Sequence, residues 1–193
     1  MSTKFEQAIA LIDEKNAQDL NREIENGTSM PKELLYSQRM TDCLLDYKPT
    51  ASEALQIAVR AQHICRWEIP RKDYPMTKPG YMNWRNDLKK MHANITAEIL
   101  ESVGYDAEFI DRVKFIISKK SFKKDPDSQT LEDVVCLVFL QFYFEDFAKK
   151  HDTDKLIDIV QKTWNKMSDA AHKKAMTLPY SESSLNLIKQ ALA

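Results

Sequence analysis

Three glycines in 193 residues, Gly27, Gly80 and Gly104, constrain this chain more than any other feature. So few leave no material for a glycine-rich phosphate loop, or for the run of tight hairpins that an all-β fold needs, because such turns use left-handed backbone that side chains resist. The apolar residues accordingly recur at helical spacing. Phe5, Ile9 and Ile12 predict a first helix over residues 3 to 16, and the polar stretch from Asn16 to Ser29 reads as a connection. Pro31 suits the first turn of a second helix with Leu34, Leu35, Met40, Cys43, Leu44 and Leu45 on its apolar face, which Pro49 ends.

Thr50 and Glu53 have the spacing of a capping box and predict the start of a helix that runs through His63 to Trp67. Residues 68 to 80 hold Pro70, Pro75 and Pro79 together with Arg71, Lys72 and Tyr74, and predict an irregular loop, either a packed surface connection or a wall beside a site. Trp84, Leu88, Met91, Ile95 and Ile99 mark the next helix, with Gly104 at its left-handed C-terminal cap. Asp106 caps a helix with Phe109, Ile110, Val113, Ile116 and Ile117 inward, and a basic loop from Lys119 to Lys124 follows. Thr130 and Asp133 predict the start of a central helix, apolar almost all round from Val134 to Leu140. Helices over 153 to 168 and from Ser181 onward complete an all-α, single compact domain spanning residues 1 to 193.

Charge narrows the partners. Lys and Arg number 28 against 29 Asp and Glu, so no global field gathers nucleic acid or an anionic membrane surface. No apolar run approaches the ~20 residues that span a bilayer. Cys43, Cys65 and Cys136 are odd in number and sit in apolar helical surroundings, which reads as reduced core thiols and a cytoplasmic protein. The pattern sets no oligomeric state.

Chemistry concentrates at Arg60, His63, Arg66 and Trp67. At spacings of three and four on a helix they share a face, pairing an imidazole with two guanidinium groups. Neighbouring positive charge keeps an imidazole neutral and able to accept a proton, while guanidinium groups grip phosphate or carboxylate bidentately. His92 borders the apolar stripe of its helix. Glu132 and Asp133, at the first turn of the central helix, either use the helix dipole or supply carboxylates to a buried site. Asp169 and His172 are a weaker pair at ligand-like spacing.

The segments from Arg60 to Trp67, Tyr81 to Arg85, Glu132 to Leu140 and Thr163 to Ser168, together with Pro70, Arg71, His92 and Ala93, resemble the family catalogued as Domain of Unknown Function 4202. At greater distance, His63 with Arg66, then His92, and finally Thr130 to Asp133, are similar in order to motifs of the HD superfamily of helical, metal-dependent phosphohydrolases. That resemblance implies an HD-like helical core and puts Asp133 near the last metal-binding aspartate. The His-Asp doublet that names the superfamily is missing; Trp84 and Arg85 are the best-placed residues and cannot ligate a metal, and Lys119 or Lys120 stands where a further histidine is common.

Three expectations follow. In the first, a metal-free pocket walled by Arg60, Arg66, Trp67, Arg85 and Lys120 binds a phosphorylated or otherwise anionic small molecule. His63 is then acid or base, oriented by Glu132 or Asp133, with His92 a second polar contact, and phosphoester hydrolysis or transfer is the reaction. In the second, His63, His92 and Asp133 hold a divalent ion such as zinc, with Glu132 as base or fourth ligand. In the third, the charges form a non-catalytic binding or regulatory module.

Overall fold

A computed structural model describes residues 2–193 and is all-α, apart from one two-stranded hairpin. It divides into two compact units, Met1–Ser121 and Phe122–Ala193.

In the first unit, α1 (Lys4–Asn16) begins at a capping box in which Thr3 and Glu6 satisfy each other's backbone amides, and it buries Ala8 and Ile12. The stretch expected as a plain connection is instead a hairpin, β1 (Arg22–Glu25) and β2 (Thr28–Pro31), with Glu25 opposite Thr28. Its turn is Asn26-Gly27 with φ of 50° and 79°, the left-handed pair that a type I′ hairpin turn requires. Arg39, on α2 (Lys32–Tyr47), ties the hairpin down through Glu23 at 2.5 Å and Glu25 at 2.6 Å.

The helix before His63 is shorter than expected. α3 (Glu53–Arg60) is capped by Ser52, whose side chain accepts from the Leu55 amide, and the chain leaves helical geometry at Ala61. Residues 61–65 form turns, Cys65 is left-handed at φ 54°, and a short 3₁₀ turn covers Arg66–Glu68. α4 (Lys78–Ser102) starts at the Thr77 cap with Pro79 in its first turn. Gly80 packs so closely on the preceding loop that a Cβ there would lie 2.1 Å from the Pro75 carbonyl oxygen. Gly104, at φ 85°, ends α4 as its position predicted, and Asp106 caps α5 (Ala107–Ser118). The core beneath these helices is fully buried Met40, Leu44, Leu55, Ile57, Ile64, Leu100, Ile116 and Ile117.

In the second unit α6 (Pro126–Val138) starts at Asp125, five residues before the expected Thr130, because Asp125 caps the Ser128 amide and Pro126 supplies the preset first turn. It continues through a π-helical stretch at Phe139–Tyr143 into α7 (Phe144–Ala148). α8 (Thr153–Trp164), α9 (Asp169–Ala175) and α10 (Glu182–Leu192) complete the unit. Leu131, Val134, Leu137, Val138, Phe144, Val160 and Ile188 form its core. Among the described residues no helix is long and apolar enough to cross a membrane.

Candidate functional site

Because α3 stops at Arg60, the four residues expected on one helical face separate. Arg60 turns to Asp13, donating from Nε and Nη2 to its two carboxylate oxygens at 2.7 and 2.6 Å, and from Nη1 to Thr41 Oγ1 at 3.2 Å. This bidentate pair joins α1, α2 and α3, and Arg60 takes no part in the His63 cluster. Trp67 is half-buried, and the ring under the Arg66 guanidinium, 4.7 Å away, belongs to Trp84. The turn that carries His63 is held by Asn16, whose Oδ1 accepts from the Cys65 amide at 3.2 Å.

His63 lies flat on Tyr36, with ring centroids 4.1 Å apart and planes 11° from parallel. Its Nδ1 is 3.3 Å from Glu33 Oε2, and its Nε2 is 3.4 Å from Arg66 Nη1. Since a guanidinium can only donate, this arrangement places the lone pair on Nε2 and the proton on Nδ1, the nitrogen that faces Glu33. Arg66 Nε is also 3.9 Å from Glu33 Oε1. His92 packs behind, 6.0 Å from His63 between centroids. It is 2 % exposed, and neither ring nitrogen makes a hydrogen bond of good geometry.

Burial and charge act together on these groups. Burial pushes the Glu33 carboxyl up to about 7, more than the nearby charges of Arg66 and Lys32 pull it down. Burial, followed by the charges of Arg66, His92, Lys119 and Arg85, holds His63 well below the usual histidine range. His92 falls to about 3, again chiefly through burial and then Arg66, Arg85 and Lys119, while the nearby Gln62 backbone works weakly the other way. Acid and base are both driven toward their neutral forms: desolvation outweighs ion pairing.

The loop before α4 is largely exposed but tied down by its own hydrogen bonds. Trp84 Nε1 donates to the Ile69 carbonyl at 2.8 Å, Arg71 donates to the carbonyls of Tyr74 and Pro75 at 3.0 and 2.9 Å, and Tyr74 donates to Asp87 at 2.9 Å. Arg85 reaches Tyr81 Oη at 3.4 Å. The lysine whose charge reaches His63 and His92 is Lys119, which is buried, whereas Lys120 is exposed. A left-handed φ of 52° at Lys119 ends α5 and separates the directions of the two side chains.

Glu132 and Asp133 belong to the second unit and lie inside α6, beyond its first turn, so the dipole argument does not apply to them. Asp133 accepts from the Ser168 amide at 2.8 Å, from Ser168 Oγ at 2.6 Å and from Gln129 at 2.9 Å, which anchors the N-cap of α9. Glu132 lies 3.8 Å from Lys166. His172 stacks on Trp164 at 4.3 Å and donates from Nε2 to its carbonyl at 2.9 Å.

The carboxylate that touches His63 is Glu33, which sequence reading passed over. A signal was available: Glu33, Tyr36 and Met40 recur at helical spacing on the buried side of α2, where an acid needs a reason to be. Among the described residues, no group of three or more His, Cys, Asp or Glu is placed to hold a metal ion. No curated protein and no solved structure matches the chain. Residues 6–188 match the family described as Domain of unknown function (DUF4202), and the chain belongs to that family.

Proposed function

We propose that the first unit binds an anionic small molecule, foremost a phosphate ester, beside Arg66, Arg85 and Lys119, and that His63 moves a proton on it. The supporting observation is the order Glu33, His63, Arg66: one imidazole nitrogen faces a carboxyl group and the other faces a cation at 3.3 and 3.4 Å. An anion that draws the Arg66 guanidinium to itself leaves His63 Nε2 free as a base. In hydrolysis or transfer, Nε2 takes the proton from the attacking water or hydroxyl oxygen as that oxygen bonds to phosphorus. The bond to the leaving alcohol breaks, and the proton passes to the leaving oxygen. Glu33 holds the ring's tautomer and steadies the transient imidazolium, and the arginines stabilise the charge that builds on the phosphoryl oxygens.

His92 supports the same reading, since a buried imidazole with neither nitrogen well satisfied costs roughly 1–3 kcal/mol per unmet group until a ligand or water meets it. In this proposal Glu33 takes the orienting role expected of Glu132 or Asp133, and Lys119 the wall position expected of Lys120. The HD-like ancestry suggested by His63, Arg66 and His92 is then that of a metal-free descendant. The donor set fits a divalent ion poorly: the His63 nitrogens face Glu33 and the Arg66 cation, and Lys119 and Arg85, whose charges also reach it, are positive. A binding module without turnover is the second reading, favoured by the closed contact of Glu33, His63 and Arg66. The thiols of Cys43, Cys65 and Cys136, none of them in a disulfide, suit a cytoplasmic setting.

Thermal shift against phosphorylated metabolites, followed by turnover of the best binder, tests this. The expected result is stabilisation that is lost in Arg66→Ala, with His63→Ala retaining binding and losing turnover. Absence of stabilisation by every phosphorylated compound refutes the proposal, and binding without turnover leaves the module reading.

A further inference from the structure

Beside the cations, the first unit presents an aromatic ring that anion binding leaves unused. Tyr81 is 43 % exposed, yet it shares the α4 face of Arg85 and His92 at spacings of four and eleven. Its ring is 5.7 Å from that of Trp84 and tilted by 48°. Trp84 is buried and has Arg66 over it. Arg71, pinned by the Tyr74 and Pro75 carbonyls, sets its guanidinium 5.9 Å from both rings. These contacts form a continuous run from His63 through Arg66 and Trp84 to Tyr81, and from Tyr81 Oη back to Arg85. The tyrosine is therefore held at the edge of the cation cluster with part of its ring open to solvent.

A held aromatic ring loses little freedom on binding, and its open surface suits a planar apolar group through offset or edge-on packing. Arg85 touches that ring at Oη, and Arg66 lies one ring further along the run, over Trp84, so a phosphate gripped there and a group packed on Tyr81 lie side by side. We propose that the ligand is a phosphate ester carrying an aromatic group: the phosphate lies on Arg66 and Arg85, and the aromatic group packs on Tyr81. This rests on the anion-binding reading above and adds the chemical class of the esterified group.

Calorimetric titration with inorganic phosphate, methyl phosphate and phenyl phosphate separates the two. The expected outcome is that phenyl phosphate binds roughly tenfold more tightly than methyl phosphate, the upper part of the range for an aromatic pair. Tyr81→Ala brings that ratio close to one, and Tyr81→Phe, which retains the ring, preserves it. A wild-type ratio near one, with methyl phosphate and phosphate still bound, overturns the aromatic assignment and leaves the anion site standing. A ratio unchanged in Tyr81→Ala also overturns it. If none of the three compounds binds, the anion site and its aromatic extension fall together.

Discussion

Replacing Glu33 with glutamine should make the first unit more stable at neutral and alkaline pH, although it deletes a carboxylate that faces both an arginine and a histidine. The Glu33 carboxyl rises from 4.5 to about 7 because burial penalises its ionised form. The unfolded chain therefore releases its proton first. Relative stability is complete below pH 4.5, declines as the pH climbs toward 7, and is lost above it. At ~1.4 kcal/mol per pH unit of separation, the full loss is about 3 kcal/mol. The groups facing Glu33 are His63, Arg66, Lys32, Asp19 and Glu23, and none of them is altered by the substitution. Glutamine keeps the shape and an oxygen facing His63 Nδ1, but it never ionises. The difference in unfolding free energy, Glu33→Gln minus wild type, should thus rise by about 3 kcal/mol between pH 4.5 and 8. Urea unfolding followed by tryptophan fluorescence measures it, since Trp67 and Trp84 lie in the first unit and Trp164 in the second. A difference that stays flat over that interval refutes the reasoning. A difference of opposite slope means that attraction to Arg66 outweighs burial, and that Glu33 is an ordinary ion-pair partner.

His92 titrates with the opposite consequence: with its folded value lowered from 6.5 to about 3, stability is complete above pH 6.5 and falls as the pH drops toward 3. The loss amounts to about 5 kcal/mol, and His92→Phe should flatten that part of the pH–stability curve; an unchanged slope counts against a buried neutral ring. Arg60→Ala should cost about 2 kcal/mol, because Asp13 loses its bidentate partner but, at 30 % exposed, keeps access to water, with anion affinity unaltered. Weakened phosphate binding in that variant, measured at a temperature where it remains folded, would return Arg60 to the site.

Much of the helical plan was legible because caps and apolar periods are local. Asp106, Gly104 and Ser181 stand where the structure uses them. The hairpin was legible too, through Asn26-Gly27, but a general scarcity of glycine obscured one well-placed example. Two starts shifted: Ser52 rather than Thr50 caps α3, and Asp125 rather than Thr130 caps α6. Several polar residues compete for a cap, and their spacing alone does not show which one meets an amide. Of the candidate site, His63, Arg66, Arg85 and His92 were legible as residues that could share a cluster, and Glu33, 30 positions before His63 in the sequence, was not.

The sequence by itself determined the all-α class and the family, through glycine scarcity, apolar periodicity and a set of short motifs spread along the chain. Only the tertiary structure decided what His63 touches. Helical spacing assigned it Arg60 and Trp67, but the chain leaves the helix at Ala61, and a left-handed Cys65 re-aims the following residues. Arg60 then belongs to Asp13, and His63 meets Tyr36 and Glu33 of α2. The physical reason is reach. Periodicity governs neighbours within a helix, whereas the proton state of a buried imidazole is set by desolvation and by charges brought close from separate elements.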